Sequence, residues 1–415
     1  MNPIRRLPPG AISTVLVAGD WAPIRAFDAV VRQDPEAAYG DILAVLRAAE
    51  LRIVNCECAL AGAGQPVWKS GSAFKGRPAH VRGLSAVPFE VACLANNHVL
   101  DYGPASLAKT LEVLRGSGIR TLGAGLTEEE AWAPLRIKLK GSRLSIINFS
   151  EGEDLTAASG GHGVAGWEIQ RVCDLARGLK ARGDCVLAVA HAGLEYIPFP
   201  PPYVQRAFRS IIEAGADCVV AHHPHVPQGI ELYQGRPIAY SLGNFLFYQP
   251  TDLYWRKVGF LLELKVAGGT VEGFEVRPYG ITEAGVRALD RKEEAEFRKT
   301  LRRISRPLGT ATGVRKAWEA YLAYYGIEGL KKEIGGILET IEAEPPKGAA
   351  MLRNRITTPQ HAELWRDLLT RFIAGSAAPD RDLAAVVTEW FERKVPLSGA
   401  RRRGGTSRSG GRRTG

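Results

Sequence analysis

Along residues 12–280, short apolar runs alternate with longer segments whose apolar residues recur every third or fourth position. Short apolar runs bounded by turn residues fit strands buried on both faces, and the three-to-four spacing fits amphipathic helices. The pattern predicts strands at 13–18, 51–55, 90–95, 185–190, 217–221 and 238–242. It predicts helices at 34–50, 104–115, 168–182 and 204–214. Pro104 opens the second of these helices and Gly116 follows it, the usual asymmetry of helix ends. Thr127, with Glu130 three residues on, is a capping-box signature for one more short helix. Two hairpins are expected, 135–140 with 143–149 around Gly141-Ser142, and 258–266 with 270–278 around Gly268-Gly269. Alternating strands and helices with added hairpins imply an α/β layering with a mixed sheet or two sheets.

From residue 285 the texture changes. Segments 293–303, 316–325, 328–342, 359–372 and 383–393 read as amphipathic helices between Gly/Pro loops. Trp318, Tyr321, Tyr324 and Tyr325 form an aromatic stripe at helical spacing, expected to pack on the preceding region. The reading divides the chain into 12–284, a helical region at 285–395, and a tail at 396–415 expected to be disordered.

Charge changes this picture little. The net charge is +10, but Arg401, Arg402, Arg403, Arg408, Arg412 and Arg413 all lie in the tail, so the rest carries only +4. A mildly basic body argues against nucleic acid as partner. The six cysteines show no Cys-x-x-Cys spacing, and most sit in apolar runs, as reduced core residues do. No apolar run approaches the roughly 20 residues of a membrane helix. Residues 11–18 read as a first core strand rather than a signal segment. The expectation is a chain without a transmembrane segment or clear signal peptide, cytoplasmic or peripheral to the membrane.

Candidate chemistry gathers where the strands end. His222-His223-Pro224-His225 follows the run at 217–221 and holds three of the eight histidines. Pro224 stiffens the backbone between His223 and His225, so both imidazoles could approach one metal ion from the same side. Asp20 ends the first strand and offers a hard oxygen ligand. Asn55 and Glu57 share a face at the end of the second, where Glu57 could bridge two metals. Asn96, Asn97 and His98 leave the third strand, with Asp101 placed to orient the imidazole of His98. His191 ends the fourth. Asn244 lies in a Ser-Leu-Gly-Asn-Phe turn at 241–245, expected to shape the site. Ligands in open α/β sheets bind beyond the carboxyl ends of strands, and polar groups at five such ends fit that rule. His80, His162 and His361 lie in loop-like or helical contexts and are read as background. No Walker motif or nucleophile elbow is present.

Six motifs in order resemble those of the CapA family, the poly-γ-glutamate capsule synthesis proteins. They are Gly19-Asp20, Asn55-x-Glu57, the run 95–103 containing Asn96-Asn97-His98 and Asp101, His191-x-Gly193-x-Glu195-Tyr196, His223-Pro224-His225-Val226, and the run 240–245. That family is similar in turn to the calcineurin-like metallophosphoesterases. The resemblance implies an α/β fold of their type, a two-sheet α-β-β-α sandwich, here with a C-terminal helical region. It implies one or two divalent ions, manganese, iron or zinc. By motif, Asp20 and His225 would hold the first ion, Glu57 would bridge, and Asn97, His191 and His223 would hold the second. His98 would assist the leaving group with Asp101 behind it; Asn55, Asn96, His222 and Asn244 would bind substrate or shape the site. The expected substrate is an anionic polymer or phosphoester, with capsule synthesis subunits as partners. The alternative is a non-catalytic polymer- or metal-binding accessory subunit. This sequence departs from the pattern at Ala22, where the superfamily's Asp-x-His places a histidine, at His222 in place of glycine, and at Ala192 in place of tryptophan.

Overall fold

The apolar runs become strands whose alternate side chains enter different cores, because successive Cβ atoms point to opposite faces of a sheet. In the computed structural model, described for residues 12–61, 64–152, 156–375 and 378–395, the strands are β1 (Ser13–Trp21), β2 (Leu51–Cys56), β3 (Val91–Cys93), β4 (Arg120–Leu122), β5 (Ala124–Gly125), β6 (Leu135–Leu139), β7 (Ser142–Ser150), β8 (Gly163–Val164), β9 (Cys185–His191), β10 (Cys218–His222), β11 (Ile230–Tyr233), β12 (Arg236–Ala239), β13 (Val258–Ala267), β14 (Thr270–Ile281) and β15 (Val286–Ala288). One sheet runs β15-β14-β13-β1-β2-β3-β4 and a second runs β11-β12-β10-β9-β7-β6; β5 and β8 pair separately. The tail expected at 396–415 lies outside the described residues.

The layering follows from the alternation. Val15, Val17 and Ile53 of the first sheet share a core with Ile146, Leu187 and Val220 of the second. The intervening Leu16, Ala18 and Val54 turn the other way, onto helices Ala26–Gln33, Leu43–Ala48 and Gly103–Gly116. Val186, Ala188 and Val219 turn onto helices Ile169–Lys180 and Pro202–Glu213. The result is a mixed α/β architecture of helices, sheet, sheet and helices. Truncating a central residue such as Leu187 to Ala would cost about 2–5 kcal/mol, since both sheets close on it.

Parallel pairing of β1, β2, β3 and β4 sets their carboxyl ends along one edge. The parallel set β7, β9, β10 and β12 does the same in the second sheet. Register then aligns the polar residues: Asp20 beside Asn55, Asn55 beside Cys93, and His191 beside His222. A register shift between Ala18 and Asp20 re-aims the end of β1. Two glycines bring the 240–245 turn against that end. A Cβ on Gly19 would meet the Gly243 carbonyl oxygen at 2.1 Å, and Gly243 itself has φ +76°.

The predicted helix at 34–50 is broken. Gly40 has non-helical φ +42°, at a position where a Cβ would meet the Val286 carbonyl oxygen at 2.3 Å and only glycine fits, and the segment splits there into a 3-10 turn, Ala37–Ile42, and a short helix, Leu43–Ala48. The helix Ala26–Gln33, buried through Phe27 and Val31, has no counterpart in the predicted pattern. The segments 316–325 and 328–342 are two helices within Ala311–Ala343, separated as expected by a break at Gly326 with φ +54°. A further helix, Pro345–Thr357, has no clear apolar period in the sequence. Thr127 caps its helix as its spacing indicates, accepting from the Glu130 amide. Trp318 and Tyr321 are buried in the inner core with Leu368 and Trp390, while Tyr324 stays exposed and stacks on Phe391.

Candidate metal centre

Asp20, Asn55, Glu57, Asn96, Asn97, His98, Asp101, His191, His222, His223, His225 and Asn244 are all buried and lie along the two sheets' carboxyl edges. Their backbone is held in unusual shapes. His223 and His225 have φ +99° and +57°, and Tyr196 has φ +65°. Left-handed conformations in non-glycine residues cost about 1–3 kcal/mol each and persist where the surroundings enforce them. Here Ala192 N donates to the His222 carbonyl at 3.0 Å, and Tyr196 N to the Pro224 carbonyl at 2.8 Å.

Glu57 sits at the centre. Its Oε1 lies 3.5 Å from His191 Nε2, 3.6 Å from His225 Nε2 and 3.9 Å from His98 Nε2. His225 Nδ1 lies 3.2 Å from Asp20 Oδ2 and 2.9 Å from Asn244 Oδ1. His191 Nε2 lies 2.9 Å from Asn97 Oδ1. Three sets of ligand-type atoms each converge within 4.8 Å: Asp20, Glu57 and His225; Glu57, His191 and His223; and Glu195, His223 and His225. His222 belongs to none of them. Its Nδ1 is 3.4 Å from Asp20 Oδ1, outside hydrogen-bonding geometry.

Neither carboxylate oxygen of Glu57 has a hydrogen-bond partner among the described residues, although both are fully buried. Burial accordingly drives its carboxyl well above the ordinary value, despite the opposing pull of His225. Burial would also raise Asp20, but contacts and positive charge from His222 and His225 outweigh it and hold that carboxyl well below its usual range. For His225, burial would lower the pKa; Glu57, Asp20 and Glu195 override it and raise it to about 10. Burial and the neighbouring His223 push His191 well below its ordinary value. A buried carboxylate without donors is costly in isolation. The donor set, carboxylates with imidazoles, suits manganese, iron or zinc.

His98 is oriented by its own turn and by residues from a separate loop. Its Nδ1 bonds Asp101 Oδ2 at 2.7 Å, and the Phe74 ring stacks on it at 3.6 Å. Lys69 Nζ donates to Asp101 Oδ1 at 2.9 Å and to the Asn97 carbonyl at 2.6 Å, and Phe74 N donates to Asp101 Oδ2 at 2.6 Å. Burial acts against the Asp101 charge, but His98 and Lys69 more than compensate and keep its pKa low. Lys347, from the helix Pro345–Thr357, ties this segment down by donating to the carbonyls of Lys69, Ser70 and Gly71 at 2.8, 2.9 and 2.7 Å.

Asn96 is consumed by scaffolding. Its Nδ2 donates to the Cys56 carbonyl, and its Oδ1 accepts from His98 N and Val99 N, which fixes the turn. Asn55 Nδ2 donates to Asp20 Oδ1 at 2.8 Å and lies 3.2 Å from His191 Nδ1. All six cysteines are free and buried, and none joins a ligand set among the described residues. Position 22 is apolar in its packing as well as its type: Ala22 sits with Cys58, Phe74 and Phe247. Sequence reasoning leaves Glu195, Lys69, Phe74, Arg25 and Arg256 without a role. Glu195 is visible within the His191-x-Gly193-x-Glu195 motif; the other four have no local signature, because a loop residue shows its purpose only once the loop is folded.

The family model of the bacterial capsule synthesis protein PGA_cap matches residues 14–249. The PGA biosynthesis protein CapA of Bacillus subtilis (strain 168) is 31% identical over 209 residues, 49% of this chain and 54% of that protein. A Mycobacterium tuberculosis (strain H37Rv) protein named "Probable polyglutamine synthesis accessory protein" is 28% identical over 294 residues, 65% of this chain and 77% of that protein. The capsule biosynthesis protein CapA of Bacillus anthracis is 30% identical over 178 residues, 41% of this chain and 43% of that protein. The chain thus spans about half the length of the two Bacillus relatives it matches.

Proposed function

The chain belongs to the bacterial capsule synthesis protein family, and we propose that it is a metal-dependent hydrolase or transferase acting on a poly-γ-glutamate type polymer. The four-layer fold would be that of a metallophosphoesterase, with its region 12–284 carrying the site. The observation that carries the reading is Glu57: both oxygens are buried without a donor, amid imidazoles that belong to two overlapping ligand sets. Asp20, Glu57 and His225 would hold one ion, and His191, His223 and Asn97 a second, with Glu57 between them. Glu195, whose carboxylate converges with His223 and His225, would replace the ligand missing at Ala22.

A bound divalent ion would supply an activated water and charge neutralisation at the electrophile. The protein's own contribution is positional. Asp101 and Lys69 fix His98 with Nδ1 engaged, so its Nε2 faces Glu57 and the cavity. From there a protonated His98 can hand its proton to a departing oxygen or nitrogen.

A second reading, a binding subunit without turnover, is favoured by Ala22, which removes a ligand and fills its place with apolar packing. Metal content of the purified protein, with turnover of γ-glutamyl and phosphoester substrates by wild type and His225→Ala, separates the two. Bound metal with turnover that His225→Ala abolishes supports the enzyme. Bound polymer without turnover, unaffected by metal, supports the accessory subunit.

A further inference from the structure

We infer that Arg25 and Arg256 form an anion-binding subsite on the rim of the metal centre, recognising a second acidic group of the substrate while the first lies at the metals. The inference rests on the proposed reading of the centre and adds the element that would select an acidic chain.

A cavity of about 390 Å³ opens over the site, with His98 and His225 at its buried floor and Arg25, Glu195 and Arg256 along its more exposed wall. Each guanidinium is seated on aromatic rings that themselves contact histidines of the centre. Arg25 Cζ lies 5.7 Å from the Phe74 ring and 5.8 Å from the Phe247 ring. Phe74 stacks on His98 and Phe247 packs edge-on against His225. Arg256 Cζ lies 3.6 Å above the ring of Tyr196, which also neighbours His225 at 5.8 Å. Aromatic platforms fix a guanidinium's plane while leaving its N–H fork free for an anion.

Neither arginine has a carboxylate within ion-pairing distance among the described residues. Arg355, by contrast, which reaches toward the same loop at Ser70, is paired with Glu333. Arg25 makes one long hydrogen bond, Nη1 to the Tyr248 carbonyl at 3.4 Å. Its backbone also sits at φ +57°, a conformation an arginine adopts only under constraint. Arg256 is half-buried, and that burial acts against its charge. A partly desolvated guanidinium that forms no ion pair, its charge offset only at a distance by Glu195, becomes favourable when an oxyanion fills its fork.

The shared ligand chemistry is a planar or tetrahedral oxyanion, either the α-carboxylates along a γ-linked glutamyl chain or a phosphate. Two arginines lining one cavity with His98 and His225 suit an extended polyanion that presents more than one acidic group. The chain's charge fits this too, because the arginines are local features of a body that is otherwise only mildly basic.

The test is equilibrium binding of a fluorescent γ-glutamyl oligomer to the full chain, with inorganic phosphate as the comparison ligand, both with added manganese and in chelator. Wild type, Arg25→Gln, Arg256→Gln and the double variant are compared, with Arg256→Lys as a charge-retaining control and thermal melting as a folding control. Each glutamine variant should bind the oligomer about tenfold more weakly at unchanged melting temperature, the loss of one charge-assisted hydrogen bond. The double variant should lose most binding, and Arg256→Lys should recover part of it. If only phosphate binding depends on the arginines, the subsite stands and the glutamyl assignment of the proposed function falls. If the folded double variant binds both ligands like wild type, or wild type binds neither, the subsite is refuted.

Discussion

Replacing Glu57 by Gln should stabilise the metal-free protein and at the same time abolish its stabilisation by metal. The reason is the pair of buried oxygens without donors. Removing the ionisable group while keeping the shape should recover about 1–3 kcal/mol near neutral pH, the linkage cost of a carboxyl whose folded pKa burial lifts well above its unfolded value. For 415 residues, an unfolding entropy of about 2.1 cal/mol/K per residue makes 1 kcal/mol worth about 1 °C in the melting midpoint. In chelator the variant should therefore melt roughly 1–3 °C above wild type. At an ion concentration a hundred times the dissociation constant, wild type should gain about 2.7 kcal/mol, or roughly 3 °C, and the variant almost nothing. The pH dependence has a definite sign. Burial raises the folded pKa of Glu57 above its ordinary 4.5, so this residue's penalty is absent below that value and grows as pH rises through the folded value. The gap between variant and wild type in chelator should be small near pH 4.5 and widen toward pH 8, and metal should close it. Differential scanning fluorimetry across that range reads all of this. A variant that melts below wild type in chelator at neutral pH, or that gains as much from metal, would refute the argument.

Metal binding should release about one proton or more per ion. His225, raised to about 10 by Glu57, Asp20 and Glu195 against the effect of its burial, must be neutral to act as a ligand. Titration calorimetry in buffers of different ionisation heat should show the proton, with affinity rising as pH rises from 6.5 toward 9; a flat profile overturns it. Asp101→Asn should lower turnover by about 10²–10⁴, because His98 loses its orienting carboxylate. It should also destabilise the fold by about 3–5 kcal/mol, since the buried Lys69 loses its ion pair with Asp101. Adding Lys69→Met should restore part of the stability and none of the turnover; recovery of both would remove His98–Asp101 from the chemistry. Lys347→Met should raise amide exchange across residues 69–74, where three carbonyls lose their shared donor, and unchanged exchange would deny the helical region any part in holding that segment.

Much of the architecture is legible from residue pattern because the dominant forces there are local or periodic. The apolar runs that form β1, β2, β9 and β10 bury both faces, so their composition announces them. The polar groups following those runs stand out because polar residues at the ends of buried strands need partners. Parallel pairing then brings such ends to a common edge, which is why Asp20, Asn55, Glu57, His98, His191, His223 and His225 are recognisable from residue type and position in the chain. The break at Gly40 is not legible, since it answers to the Val286 carbonyl, nearly 250 residues away. Nor is the charge balance at Glu57, where desolvation is a property of the assembled core.

Side-chain type and spacing along the chain thus encode the α/β alternation, the family and the set of ligand-type residues. Folding in three dimensions settles which of those side chains converge on a common point, that Glu195 joins His223 and His225, and that His222 does not. It also brings Lys69, Phe74, Arg25 and Arg256 to the site at all. The physical reason is the same for each: their roles depend on distances between segments far apart in the chain, and those distances exist only after both sheets and the C-terminal helices have packed.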